Sequence, residues 1–441
     1  MIVLSIGFFM SSRLWLCATL AVVLAHPAMA QTGQVPGQVS VQPQRNGAVS
    51  LSLPQALRTA ISSNPRLTAA DRTINMADGR REQANALPNP TVGVEVDNFA
   101  YGQNGLVSGA EYTLQISQLF ELGGKRGARV QAALGDFDTA RWEREASRLE
   151  LLSETTIAFV EALSVQRKIA LLERQAAQLE RLVPQMQKRV EAGASSPSEV
   201  TRTQAAAGMV RLERERARVA LAVARRELAA LMGKDQPTFA GVAGDFGRIS
   251  RPAPLEAAIK AIEENPQLMR WTAVRARRDA ELLSARLKPL PDITASAAWR
   301  HYGDTGQNAA RFGISVPINV LDRNTGAIRE AQEAAQKTES EKAMNRLTLI
   351  AIVGKAHDTA NGAIAQVELL RRTVLPAARS SLSTVEQGYG QGRFTLLEIL
   401  DAYRTVADAE LQEHEALASF HTSIATIEGL IGSPVQLARA R

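Results

Sequence analysis

Apolar residues recur three and four apart along the stretch from Gly127 to Ala192: Leu151, Ala158, Ala162, Val165, Ile169, Leu172, Ala176, Leu179, Val183, Met186 and Val190. This spacing predicts one long helix with a heptad seam, the pattern of helices that supercoil around partners. Pro184 is the only proline within it. At 1.5 Å per residue, about 65 residues reach roughly 100 Å, several times the diameter of an ordinary domain.

The segments before this rod change period. Pro54 to about Ala86 reads as a helix with proline in its first turn, ended by Pro88-Asn89-Pro90. Val92, Val94 and Val96 then alternate with Gly93, Glu95 and Asp97, and Tyr112, Leu114 and Ile116 form a second alternating run that ends near Phe120. Period two predicts strands, here a hairpin over residues 91–120 around the loop Asn98 to Gly109. After the rod, a turn from Gly193 to Ser198 leads into a returning helix, Pro197 to Met232.

The whole pattern then repeats. Asn64-Pro65-Arg66-Leu67 returns as Asn265-Pro266-Gln267-Leu268, and Pro88 and Pro90 return as Pro289 and Pro291, each displaced by 201 residues. Gly193 with Glu199-Val200 returns as Gly392 with Glu398-Ile399, displaced by 199. One supersecondary unit is present twice, over residues 51–233 and 255–441, joined by a Gly- and Pro-containing linker at 234–254. In the second unit the helix runs Leu255 to Lys288, the strands Ile293 to Trp299 and Phe312 to Val316 within a hairpin at 292–318, the rod Arg323 to Glu386 and the return Thr395 to Leu430. Pro376 answers Pro184 with one heptad of extra length before the turn. The helix to Met232 and the helix from Leu255 together match one rod in length, so they are expected to stack end to end, with the linker as a belt at mid-height.

The first residues change the compartment. Arg13, the apolar run Leu14 to Ala25 and the small-residue triplet Ala28-Met29-Ala30 predict an export signal over residues 1–30, with Met1 or Met10 as the start. A mobile leader is expected over 31–50. The run is too short to span a bilayer, and the sole cysteine, Cys17, falls inside it without the small preceding residue that a lipid anchor needs, so no disulfide is expected. Lys and Arg total 51 against 45 Asp and Glu, a net charge of +6. The signs are interleaved, which argues for solvated helix flanks rather than nucleic-acid binding.

Four strands with open edges cannot span lipid alone, because unpaired backbone groups are not tolerated there. A membrane barrel needs further copies: two give eight strands, three give twelve. Tyr101, Tyr112, Trp299 and Tyr302 fall at or near strand ends, where interfacial aromatics sit. They would equally cap a small soluble sheet. Lys125 and Arg126 follow the first hairpin and are expected to face headgroups.

The turn Gly388-Tyr389-Gly390-Gln391-Gly392-Arg393-Phe394-Thr395 precedes the second return helix, whose Glu398 and Asp401 lie on one face of its first turns. Several copies around an axis would stack these carboxylates as anionic rings, although acids near a helix N-terminus also merely complement its dipole.

With the duplicated plan, this turn resembles the TolC family of outer-membrane efflux proteins over nearly all of the mature chain. The resemblance implies a mainly α fold with a small β part: a trimeric α-helical barrel joined to a 12-stranded transmembrane β-barrel, four strands per protomer. It implies a homotrimer in the outer membrane with a long periplasmic extension, engaged by a periplasmic adaptor and an inner-membrane pump of the resistance-nodulation-division type. It assigns Tyr389, Arg393, Glu398 and Asp401 to the periplasmic gate. Arg189, Gly193, Ser196, Glu199, Gly388, Gly392 and Thr395 fall at the tips that an adaptor would contact. The family's network arginine stands at Phe394, with Arg393 one position earlier. Ala86-Leu87-Pro88-Asn89-Pro90 and Gln118-Leu119-Phe120-Glu121-Leu122-Gly123-Gly124-Lys125-Arg126 resemble the subgroup serving cobalt, zinc and cadmium resistance pumps. A duct for drugs, organic compounds or secreted polypeptides is the alternative within the family. A periplasmic coiled-coil adaptor or scaffold is the alternative outside it.

No phosphate loop, nucleophile elbow or zinc-protease motif occurs, so neither an enzyme nor a cofactor is expected. His301, His357, His414 and His421 are the histidines beyond the signal, and His414 and His421 are seven apart on one helix. Two isolated imidazoles form no metal site.

Overall fold

The computed structural model of the chain describes residues 50–98 and 109–432. The expected signal peptide, all of the expected leader except Ser50, and Tyr101 lie outside the described residues.

A short strand β1 (Ser50–Ser52) leads into helices α1 (Leu53–Ser63) and α2 (Pro65–Asn85), followed by strands β2 (Thr91–Asp97) and β3 (Glu111–Phe120). The rod α3 (Lys125–Glu191) is a single helix of 67 residues, and α4 (Pro197–Leu231) returns along it. After strand β4 (Gly241–Ala243) come α5 (Leu255–Ile262), α6 (Pro266–Leu287), β5 (Ile293–Tyr302) and β6 (Asn308–Ser315). The second rod is α7 (Thr325–Leu369) and α8 (Leu375–Gly390), and α9 (Leu396–Ile431) returns. Every residue of the α3 seam named above is buried or half-buried, as heptad spacing requires.

Two expected single helices are each broken in two. The chain leaves the helical region at Asn64 (ψ 124) and Asn265 (ψ 132), because proline at the next position crowds the αR conformation of the residue before it. Each asparagine then starts a new helix: its side-chain oxygen accepts the N–H of Arg66 or Gln267 at 2.8 Å. Its amide NH₂ donates to the last turn of a return helix, Asn64 to the Leu231 carbonyl at 2.8 Å and Asn265 to the Leu430 carbonyl at 2.7 Å. The composite rods are therefore α4 on α2 and α9 on α6, each within its own repeat, rather than α4 on the helix that follows it in sequence. The linker of 234–254 does not stack these helices in order; it crosses at mid-height, where β4 pairs in parallel with β1 and draws Ser50 into a strand.

The second rod also departs from the first. Pro184 lies inside the unbroken α3, whereas Pro376 sits in the first turn of α8 behind a π-helical turn, Leu370–Val374. The Leu375 N–H reaches back five residues to the Leu370 carbonyl. Proline has no N–H for the carbonyl four residues earlier, and a widened turn relieves the clash.

The rods lie side by side in the order α2/α4, α3, α6/α9, α7/α8, read from which helices pack together. The four-stranded antiparallel sheet follows the same order, β2-β3-β5-β6, each strand continuing its own rod. The second hairpin is longer than its sequence pattern predicts, because β5 continues to Tyr302 and β6 begins at Asn308. Among the described residues, no helix is long and apolar enough to cross a membrane.

Candidate functional site

Two regions carry the functional geometry: the sheet with its junction to the rods, and the tips at the opposite end.

Register sorts the sheet into two faces. Val92, Val94 and Val96 stand opposite Ile116, Leu114 and Tyr112, and these in turn oppose Ala297, Trp299 and His301. Ile314 and Phe312 continue the same face opposite Ala295 and Ala297. This face is apolar yet open: Val94 is 73% exposed, Phe312 82% and Ile314 77%. The other face carries Glu95, Asp97, Glu111, Thr113, Gln115, Arg300 and Arg311. Arg300 ties three strands together there, to Asp97 at 3.2 Å, Glu111 at 2.9 Å and the Thr113 hydroxyl at 2.9 Å. One apolar face outward and one polar face inward is the alternation of a transmembrane barrel wall. Of the expected interfacial aromatics, Tyr112 and Trp299 lie on the apolar face. Tyr302 opposes Glu111 and so lies on the polar one.

The junction corrects a second expectation. Lys125 and Arg126 turn inward instead of toward headgroups: Lys125 donates to Asp292 at 2.9 Å and to the Leu290 carbonyl at 2.6 Å, and Arg126 donates to Asn85 at 2.7 Å. Burial raises the Asp292 pKa, but the Lys125 and Leu122 hydrogen bonds outweigh it and leave the carboxyl below its usual range. Arg129, which sequence reasoning missed, grips Glu121 with two bonds at 2.5 and 3.0 Å and caps α2 through the Ala84 carbonyl at 2.9 Å. That hydrogen bond, with the Arg129 charge, holds Glu121 below its ordinary pKa despite its partial burial. Gly124 starts α3 at φ 79 and Asn324 starts α7 at φ 57, so both rods leave the sheet through a left-handed residue. These polar ties fix the angle at which each rod enters its strand.

At the far end both tips end in the same cap. Gly193 (φ +69) and Gly392 (φ +77) each take the left-handed position, and the next residue's N–H bonds back five positions, Ala194 to Arg189 and Arg393 to Gly388, both at 2.8 Å. Phe394 packs its ring over Gly388, where any Cβ would collide with it. An aromatic at this position thus closes the cap by packing rather than joining a polar network. The Arg393 side chain is exposed and has no hydrogen bond or ion pair among the described residues.

Tyr389 is buried between the tips. Its single hydroxyl proton has two acceptors in reach, the Glu199 carboxylate at 3.1 Å and the Met186 sulfur at 2.8 Å, while Arg189 stacks on its ring at 4.7 Å and donates to its carbonyl at 3.0 Å. Arg189 and Glu199 therefore turn inward and join the two helical hairpins, instead of standing free at the tip. Burial, with the carboxylate of Glu199, raises the phenol pKa and keeps it a donor. Leu182, Ala207, Leu396 and Ile399 pack around this cluster.

Thr395 and Glu398 form a reciprocal capping box: the Glu398 carboxylate accepts the Thr395 N–H at 2.6 Å and its hydroxyl at 2.8 Å. These bonds lower its pKa, so it stays ionised. Ser196 caps α4 less fully, accepting the Ser198 N–H at 3.3 Å. Asp401 is exposed, and its carboxylate has no partner among the described residues. It lines, with Leu179, Met209 and Leu400, an apolar groove of about 670 Å³ between α3, α4 and α9.

At mid-height His414 and His421 are packing residues. Phe246 of the belt lies between their rings, 5.0 and 5.4 Å away. His414 shares a hydrogen bond with Ser164 at 3.0 Å, and His421 donates to the Phe246 carbonyl at 2.9 Å. Among the described residues no group of three or more His, Cys, Asp or Glu side chains is placed to hold a metal ion.

A helical layer continued into a two-faced open sheet is the wall of a membrane channel. The model of the outer membrane efflux protein family matches residues 56–234 and 258–433, and the chain belongs to that family. The cobalt-zinc-cadmium resistance protein CzcC of Cupriavidus metallidurans is 30% identical over 423 residues, spanning 95% of this chain and 99% of the relative. The outer membrane protein TolC of Escherichia coli is 22% identical over 412 residues, 87% of this chain and 82% of TolC. Among solved structures, that of CusC aligns with a TM-score of 0.75 at 15% identity, covering 88% of this chain and 93% of the other.

Proposed function

We propose that three copies of this chain form a passive outer-membrane duct that carries divalent heavy-metal cations outward from an inner-membrane pump and its periplasmic adaptor. The observation that carries the reading is the open two-faced sheet: one face is apolar and exposed, its edges β2 and β6 are unpaired among the described residues, and four strands per copy give twelve in a trimer. Similarity to CzcC along nearly the whole chain supports a metal as the substrate. Selection belongs to the pump, since a conduit that bound its cargo tightly would slow release.

The gate in this reading is the tip cluster. Tyr389 with Arg189 and Glu199 latches the two hairpins of one copy, and Glu398 and Asp401, repeated around the axis, form anionic rings. Gly193, Ser196, Gly392 and Thr395 shape the surface offered to the adaptor, Gly388 lies buried beneath the Phe394 ring rather than on that surface, and Arg393 is free to reach a neighbouring copy.

Deleting the gene should sensitise its host to cobalt, zinc or cadmium, and plasmid-borne copies should restore growth. Sensitivity confined to organic compounds or to loss of a secreted polypeptide would assign the duct to another cargo. A protein found soluble in the periplasm would exclude the duct.

A further inference from the structure

The internal repeat specifies how two copies meet at the sheet edge, an inference that rests on the trimeric reading above. In the β2–β3 hairpin the numbers of paired residues add to 208, as for Thr91 with Ser117; in the β5–β6 hairpin they add to 609, as for Thr294 with Ser315. The difference of 401 divides into 201 for the first strand, the displacement of Pro88 and Pro90, and 200 for the second. The left-handed residues that begin the rods, Gly124 and Asn324, are likewise displaced by 200.

Between the hairpins, β3 pairs with β5 at a sum of 413, as for Glu111 with Tyr302. The repeat carries β3 onto β6 and β5 onto β2, so the same junction recurs between β6 of one copy and β2 of a second. Adding 200 and subtracting 201 gives a sum of 412. We propose that β6 of one copy pairs antiparallel with β2 of a second copy in this register, which places Val316 opposite Val96 and Ile318 opposite Val94.

The faces supply an independent check. Side chains alternate along a strand, so a shift of one residue would set Val316 against Glu95 or Asp97 and put acids on the apolar face. The derived sum has the parity that keeps the valines together. Val316 and Ile318 are 45% and 81% exposed in one copy, lie just past the end of β6, and have no strand partner among the described residues. Their counterparts at the end of β3 are paired with β5. In one copy the run is held by a tight turn, the Val320 N–H bonding to the Ile318 carbonyl at 3.1 Å. Pairing with the second copy extends β6 toward that turn.

Cysteine pairs test the register in the assembled protein in a Cys17→Ser background. Val316→Cys with Val96→Cys, and separately Ile318→Cys with Val94→Cys, should form disulfide-linked dimers and trimers on non-reducing gels, at least five-fold more than Val316→Cys with Val94→Cys. Preferential linkage of Val316→Cys to Val94→Cys or Asn98→Cys in an intact trimer would overturn the register while leaving the duct in place. An intact trimer in which no pair links would overturn the edge contact. Wild-type protein that stays monomeric would overturn the trimer itself, and the register with it.

Discussion

Tyr389, Glu398 and Asp401 show how residues of one short motif take different physical roles. Tyr389 is a buried donor that joins two hairpins, Glu398 is a cap whose carboxylate is occupied, and Asp401 is an open charge. Substitutions must therefore respect the cap: Glu398→Gln keeps the reciprocal bonds that Glu398→Ala would remove. Glu398→Gln with Asp401→Asn in reconstituted protein should lower cation selectivity and weaken block by multivalent cations in planar bilayers; unchanged currents would remove both residues from the gate. The buried imidazoles give a second test. Burial, aided by the nearby Lys168 charge, pulls His414 down to about 4, and burial lowers His421 against the opposing pulls of the Phe246 carbonyl and Asp245. Both are neutral when folded, and the unfolded chain binds more protons between the folded pKa and about 6.5. Stability is thus complete above that range and is lost as pH falls toward 4, by on the order of 3 kcal/mol for His414. Thermal unfolding followed from pH 7.5 to 4.5 should show this decline, and His414→Asn should flatten it. The sequence shows two imidazoles on one face of a helix; only packing brings Phe246 between them.

At the scale of elements, most of the chain was legible because its periods are strong. The heptad seam, the alternating strands, the prolines and the repeat led to rods and hairpins in the right order. The misses have local causes. Asn-Pro dipeptides read as helix interior when flanked by good helix formers, yet the residue before proline resists αR and the asparagine side chain is a ready cap. Lys125 and Arg126 look free in a linear reading, because Asp292 is 167 residues away from Lys125. The stacking of α4 on α2 rests on Gly233, at φ +68, where a Cβ would collide with the Ser63 carbonyl. Gly193 has a similar φ of +69 but open space around it. Gly193→Ala should cost about 1 kcal/mol from the left-handed backbone alone. Gly233→Ala should cost at least about twice that, because backbone must move as well. Thermal unfolding of the two variants measures the difference, and equal losses would count against the stacking.

For the whole molecule, the consequential fact is that one copy is an incomplete wall. Among the described residues its sheet has an apolar face without a core to cover it and two edges without partners, and the helical layer below ends on the same two rods. In the trimeric duct proposed above, lipid on one side and further copies at the edges complete it. A charge on the apolar face should then destabilise insertion: Phe312→Lys is expected to cost about 2–4 kcal/mol near the middle of the bilayer, and Gln115→Lys on the polar face much less. The yield of heat-modifiable oligomer in outer membranes reads this difference. Equal yields would mean that the apolar face does not meet lipid.

The sequence alone determined the lengths, the periods and the duplication, because each depends on residues near one another along the chain. It thereby determined that a single copy cannot close a barrel. Tertiary structure decided which helix stacks on which, which charges are tied down at the junction, and that Arg189 and Glu199 serve Tyr389. Those outcomes depend on groups some 165 to 200 residues apart. Their meeting is set by the lateral order of the rods, which no local pattern encodes.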